Sequence, residues 1–274
     1  VLLVNDGVLP LSADSKGALF GRVQTDWFYV GYGSGGDVRT PYLVSPVEGL
    51  LNAGVKLDSE LLDKYRQFAD KYPADHGFWG HWPYSHPEMP VTEEEIRAAA
   101  ARNDVAVVCI GRSAGEDRDN KAKRGSYYLT SAEEKLLKDV SSAFEKTVVV
   151  LDIGAIMDMS WCRKYHVSAL LVVWQGGMEA GNALADVLTG KAEPGGRLTD
   201  TVALRLSDYP SSSDFGGKQF NNYNEDIYVG YRYFETFAPE KVLFPFGAGK
   251  GYTSFSADLS SLSLDGTRVT AKVK

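Results

Sequence analysis

The sequence predicts an α/β fold: a mostly parallel sheet sandwiched between helices, with the start of a separate β-domain at the C-terminal end. Three observations carry the prediction. From residue 104 to residue 190, apolar runs alternate with amphipathic stretches, and repeated strand–helix units of this length connect parallel strands. The apolar run at 104–110 is β-branched and uninterrupted, as strands covered on both faces are, and further apolar runs follow at 147–153 and 168–174. Residues 260–274 then alternate polar with apolar side chains, which reads as the first strand of a new β-domain. The domain division expected is therefore 1–255 for the α/β unit and 256–274 for the beginning of the second.

In chain order, residues 1–11 are apolar around an Asn5-Asp6-Gly7 turn signal. Residues 17–21 make a short buried strand. Gly31-Tyr-Gly33-Ser-Gly35-Gly36 satisfies the dinucleotide glycine spacing. That fingerprint must open directly into a helix whose N-terminus holds the pyrophosphate. Pro41 and Pro46 follow instead, so the stretch reads as a glycine loop. Residues 45–54 form a helix begun by proline and ended by glycine. Residues 59–72 are amphipathic, with Leu61, Leu62, Tyr65 and Phe68 on one face.

The loop at 73–88 carries His76, His81 and His86, spaced by five. Helical metal ligands need spacings of three or four, and the prolines here exclude a helix. An aromatic lid or ligand-contact loop is the expectation, with no metal and no cofactor. Residues 92–102 form a helix capped by Thr92 with Glu93, Glu94 and Glu95 in its first turn. Helices are expected at 131–145, begun by Thr130 or Ser131, at 156–164 and at 178–188. Residues 191–250 are turn-rich, with an edge strand expected at 226–234.

The stretch that concentrates chemistry is Gly111-Arg112-Ser113-Ala114-Gly115-Glu116-Asp117-Arg118-Asp119-Asn120. It leaves a buried strand at its carboxyl end, where open α/β sheets place their chemistry. The competing reading is a solvated loop whose charges pair with one another.

Composition narrows the partners. A 274-residue chain suits one large or two modest domains. The net charge of −7 offers no basic surface to nucleic acid or an anionic membrane. No apolar run reaches the roughly twenty residues that span a bilayer, and no charged-then-apolar leader pattern opens the chain. The two cysteines, Cys109 and Cys162, fall in core patterns and favour a reducing, cytoplasmic compartment.

Five stretches, in order, carry a resemblance: 1–11; the 111–120 loop with Gly125-Ser-Tyr-Tyr-Leu129; Val173-Trp-Gln-Gly-Gly-Met-Glu179; Pro194-Gly-Gly-Arg-Leu-Thr199; and 225–234 with Phe244-Pro-Phe-Gly247. Together they resemble the α/β-sandwich domain of glycoside hydrolase family 3 β-glucosidases. The resemblance implies a retaining two-carboxylate mechanism on a β-glucoside or β-gluco-oligosaccharide. The aspartate nucleophile belongs to a (β/α)8 barrel domain, and a glutamate of the sandwich loop is the general acid/base. The position that matches is Glu116, and the resemblance implies a raised carboxyl pKa there. Like charge from Asp117 and Asp119 favours such a rise, while Arg112 and Arg118 oppose it.

Two departures qualify the match. The family loop commonly reads Glu-Gly-x-Asp-Arg, and Asp117 here replaces that glycine, which keeps Asp117 and Asp119 as fallback catalytic candidates. Gly247-Ala-Gly-Lys-Gly-Tyr252 also differs from the family's Gly-Tyr-Gly-Leu-Ser-Tyr. Trp79, Trp82 and Tyr84 are candidate stacking residues for the leaving group, and Arg118 a further contact. No eightfold strand–helix repeat fits in this chain, so the barrel is expected before or after it, and the chain alone is expected to be inactive. In the family's permuted order a fibronectin-like domain follows the sandwich, which accounts for the tail. Other readings are a β-xylosidase or another exo-glycosidase of the family, or a non-catalytic carbohydrate-binding or assembly domain; homo-oligomers fit either class.

Overall fold

The computed structural model describes residues 1–36, 38–77, 81–82, 86–116 and 119–274. The elements run β1 (Leu2–Asn5), β2 (Lys16–Phe20), α1 (Pro46–Asn52), β3 (Lys56–Leu57), α2 (Ser59–Lys71), α3 (Glu93–Arg102), β4 (Val105–Arg112) and α4 (Ser131–Ala143). They continue as β5 (Thr147–Ile153), α5 (Trp161–Lys164), β6 (Ala169–Val172), α6 (Ala180–Leu188), β7 (Val202–Ala203), α7 (Tyr231–Phe237), β8 (Val242–Phe244), β9 (Leu259–Asp265) and β10 (Arg268–Val273). The main sheet has the order β1-β6-β5-β4-β2-β3. Its neighbours are parallel except β1, which runs antiparallel to β6. The chain passes from β2 outward to β3, then returns across β2 to β4 and builds the other half. The direction of winding thus reverses between β2 and β4, and open α/β sheets bind ligands at that reversal.

The unbroken apolar strands are explained by two covered faces. Every residue of β4 and β5 is buried. Val108 and Ile110 pack with Leu61 of α2, Ile96 of α3 and Leu137 of α4. Val107 and Cys109, on the opposite face, join Val47 and Leu50 of α1 and Leu184 and Leu188 of α6. Each such side chain contributes about 1.5–3 kcal/mol when fully buried. The cysteines are both free thiols, Cys109 buried and Cys162 half-buried.

Helix starts at Thr92 and Thr130 follow the capping chemistry read from the sequence, and Ser45 adds a third cap. Ser45, Thr92 and Thr130 each form a reciprocal capping box with Glu48, Glu95 and Glu133, which satisfies two otherwise unpaired backbone donors per helix. Helices α1 and α6 touch through glycines. A Cβ on Gly49 would lie 2.0 Å from the Gly181 carbonyl oxygen, and one on Gly181 2.1 Å from that of Ser45. Gly181→Ala should therefore force the helices apart at a cost of about 1–3 kcal/mol. A thermal melt should register a fall of several degrees, and an unchanged Tm would show that this contact opens freely.

Three expectations are corrected. The helix over 156–164 is reduced to α5, because the backbone of 156–158 is engaged elsewhere. The Ile156 carbonyl accepts from the Asn120 side chain at 2.6 Å, and the Asp158 N–H donates to Tyr127 O at 2.8 Å. Residues 226–234 make no edge strand. Asp226 and Gly230 have φ of 48° and 64°, values that break an extended chain, and α7 follows with Phe234 buried beside Ala203 and Ala238. The tail is not one strand but a hairpin, since Asp265 turns through Gly266 (φ 55°) into β10. Both hairpin strands are exposed along their whole length.

Candidate active site at the reversal of the sheet

Two loops meet above the carboxyl ends of β2 and β4. The β4 loop is anchored at both ends by one buried ion pair. Arg112, the last residue of β4, donates from Nη2 to Glu133 Oε2 at 2.6 Å and from Nη1 to Oε1 at 2.7 Å. Glu133 belongs to the first turn of α4 and also accepts the Thr130 N–H at 2.9 Å. Arg22, after β2, adds contacts to Glu133 Oε1 at 3.3 Å and to Gly111 O at 3.0 Å. Burial alone would raise the Glu133 carboxyl, but the hydrogen bonds and charge of Arg112, with Arg22 behind it, bring it down to about 2. Arg112 is thus a structural residue. Its guanidinium is committed to Glu133 rather than to Glu116.

The β2 loop is tied down in turn. The Phe28 N–H donates to Asp152 Oδ2 at 2.6 Å, and burial pushes that carboxyl at the end of β5 well above its ordinary range. Burial likewise raises the Glu88 carboxyl to about 7 against the Arg22 N–H and charge. Further along, Tyr32 N donates to Ala114 O at 2.7 Å and Glu116 N to Tyr32 O at 2.9 Å, a one-residue parallel bridge between the loops. So close an approach needs glycine. A Cβ on Gly115 would lie 1.8 Å from Tyr32 O, and one on Gly33, at φ +129°, 2.6 Å from the Glu116 Cβ.

Glu116 sits on this bridge with an exposed carboxyl. Its Oε2 accepts the Ser34 N–H at 2.8 Å and the Ser34 hydroxyl at 2.7 Å. These donors favour the charged form and hold the carboxyl below its ordinary value. In this chain the carboxylate is exposed and hydrogen-bonded by Ser34, whereas the raised value that the family resemblance implies needs desolvation.

Beside the loop lies a cavity of about 600 Å³, walled by Phe28, Trp82, Ser113, Ala114, Asp119 and Asn120 among others. The Trp82 ring packs on Tyr32 at 4.6 Å between centroids and 47° between planes. The Tyr32 hydroxyl accepts the His81 N–H at 3.0 Å. Trp82 and Asp119 therefore line one cavity. Trp79, Tyr84, Asp117 and Arg118 lie outside the described residues. His81 Nε2 lies 2.6 Å from Asp75 Oδ2, His76 Nε2 3.8 Å from Asp26 Oδ2, and the His86 ring is buried. Among the described residues no three ligating side chains gather as a metal site would need.

Sequence reasoning missed Ser34 and Tyr32. The glycine spacing around them was visible, but it was tested only against a phosphate-binding turn. Its observed purpose is close contact between two backbones.

Comparison with known proteins gives one consistent result. Residues 1–252 match the glycosyl hydrolase family 3 C-terminal domain. A β-glucosidase of Ruminococcus albus is 43% identical over 276 residues, covering 100% of this chain and 29% of the relative. β-Glucosidase A of Butyrivibrio fibrisolvens is 40% identical over 282 residues, covering 93% of this chain and 34% of the relative. Among solved structures, a β-glucosidase from Paenibacillus barengoltzii superposes with a TM-score of 0.93 at 42% identity, over 100% of this chain and 30% of that one. β-Glucosidase 3B from Thermotoga neapolitana, in complex with glucose, gives 0.88 at 39% identity, over 97% and 38%. The chain thus spans about a third of the length of the relatives it matches.

Proposed function

The chain belongs to glycoside hydrolase family 3 as its C-terminal domain, and from that premise we propose that it supplies the general acid/base of a retaining β-glucosidase, with Glu116 in that role. The observation that supports this most is the position of Glu116: an exposed carboxylate at the reversal of the sheet, on a loop braced from both sides. The nucleophilic carboxylate belongs to the (β/α)8 barrel domain of the same enzyme. In the first step the Glu116 carboxylic acid gives its proton to the glycosidic oxygen. The C1–O bonding pair passes to that oxygen while the nucleophile bonds to C1. In the second step Glu116 takes a proton from water, the water oxygen bonds to C1, and the nucleophile leaves with its electron pair. No cofactor takes part.

The acid must be protonated for the first step, which a solvated carboxylate held below its ordinary value is not. Closure of the barrel and substrate over Glu116 strips that water and raises it. Trp82, with Trp79 and Tyr84, stacks on the leaving group, and Arg118 contacts it. The exposure of Glu116 also favours a second reading, a non-catalytic carbohydrate-binding or assembly domain. The two readings part on Glu116→Ala in the intact polypeptide, which slows the enzyme if Glu116 is the acid/base and leaves it unaffected if the domain only binds or assembles. The intact polypeptide should release β-glucose as the first product of an aryl β-glucoside, followed by NMR before mutarotation, and the purified 274-residue chain should show no turnover. Release of α-glucose first, or turnover by the chain alone, would contradict the proposal.

A further inference from the structure

We infer that Ser34 is a positioning residue for the acid/base carboxyl, fixing Oε2 of Glu116 as the accepting oxygen and leaving Oε1 to carry the transferable proton. The inference rests on the role proposed for Glu116. Its ground is that two donors from one residue, the N–H at 2.8 Å and the hydroxyl at 2.7 Å, converge on a single oxygen. An oxygen that accepts twice has its lone pairs occupied, so the acidic proton resides on the other oxygen. Among the described residues Ser34 supplies both donors to this carboxyl, and no described cation pairs with it.

The placement is built into the fold. Ser34 follows Gly33, where no Cβ fits against Glu116, and Tyr32, whose backbone is bonded on both sides to the β4 loop. Upstream, Phe28 is anchored on buried Asp152. Ser34 therefore comes to Glu116 on a braced segment, and its hydroxyl is held where the carboxylate forms. The chemistry asks two things of such a partner. It must keep Oε1 pointed at the glycosidic oxygen, since a misplacement of about 1 Å can cost a hundredfold in rate. It must also stabilise the carboxylate left after proton transfer, so that the acid gives up its proton readily.

The test uses the polypeptide that carries both domains, with Ser34→Ala, Ser34→Thr and Glu116→Ala compared on aryl β-glucosides across pH. Loss of the general acid's proton sets the basic limb of kcat/KM. Ser34→Ala removes a donor that favours the carboxylate, so the limb should move to higher pH. The rate on a poor leaving group should fall roughly tenfold to a hundredfold. Ser34→Thr keeps the hydroxyl and should keep the wild-type limb. A Ser34→Ala limb that coincides with wild type overturns the inference whatever happens to the rate, because a loss of packing alone leaves the limb in place. Azide rescue of Glu116→Ala separates the two claims. With rescue and an unmoved Ser34→Ala limb, only the role of Ser34 fails; without rescue, the assignment of Glu116 fails as well.

Discussion

Replacing Glu116 by Ala in the intact polypeptide should lower kcat/KM on an alkyl or unactivated aryl β-glucoside by about 10²–10⁴-fold, the usual contribution of a positioned acid. The loss should be much smaller for a dinitrophenyl glucoside, whose leaving oxygen departs without a proton. That contrast follows from the site. Glu116 stands on the loop at the carboxyl end of β4 with its carboxylate exposed, bonded only by Ser34 among the described residues. Its removal breaks no buried pair, so the Tm should stay close to wild type. An equal loss on both substrates would point to binding or folding rather than proton donation.

The second large effect concerns stability. Glu133→Gln leaves Arg112, whose side chain is 10% exposed, and the neighbouring Arg22 without their shared carboxylate. Removing one partner of a buried ion pair costs about 3–5 kcal/mol, so the Tm should fall by roughly 10 °C. The pH dependence has a definite sign. The folded-state carboxyl lies at about 2 against an ordinary 4.5. Its contribution is therefore fully present above pH 4.5 and is lost as pH falls toward 2. Urea unfolding across that window should show wild type losing its advantage over Glu133→Gln as the solution becomes more acid. A constant gap between the two, or none, would remove Glu133 from the account.

The framework was legible wherever one local signal decided the outcome. Thr92, and Thr130 or Ser131, announced their helices ahead of glutamates in the first turn, and the Val-rich runs of β4 and β5 read as strands buried on both sides. Residues 226–234 misled because alternating Tyr and Val imitate a strand, while the exposed Asp226, at positive φ, lies in a turn where the Tyr228 N–H bonds to Glu225 O. The helix expected at 156 failed for a long-range reason, since its first carbonyl is claimed by Asn120 from a distant loop. At the site, the charged loop after a buried strand stood out by composition, and the family resemblance singled out Glu116 within it. Ser34 could not, because its partner lies 82 positions away and a serine among glycines carries no sign of what it touches. Arg112 was read as a neighbour acting on Glu116. Its bidentate pairing with Glu133 depends on the geometry with which α4 returns over the sheet.

The most direct test of the central claim is chemical rescue of Glu116→Ala in the polypeptide that carries both domains, assayed on an activated aryl β-glucoside with and without azide. If Glu116 is the acid/base of a retaining enzyme, the glucosyl-enzyme accumulates for want of a base. Azide, which needs no deprotonation, should then restore turnover and yield β-glucosyl azide. Undiminished activity without azide, or a slow variant that azide does not accelerate, would contradict the assignment.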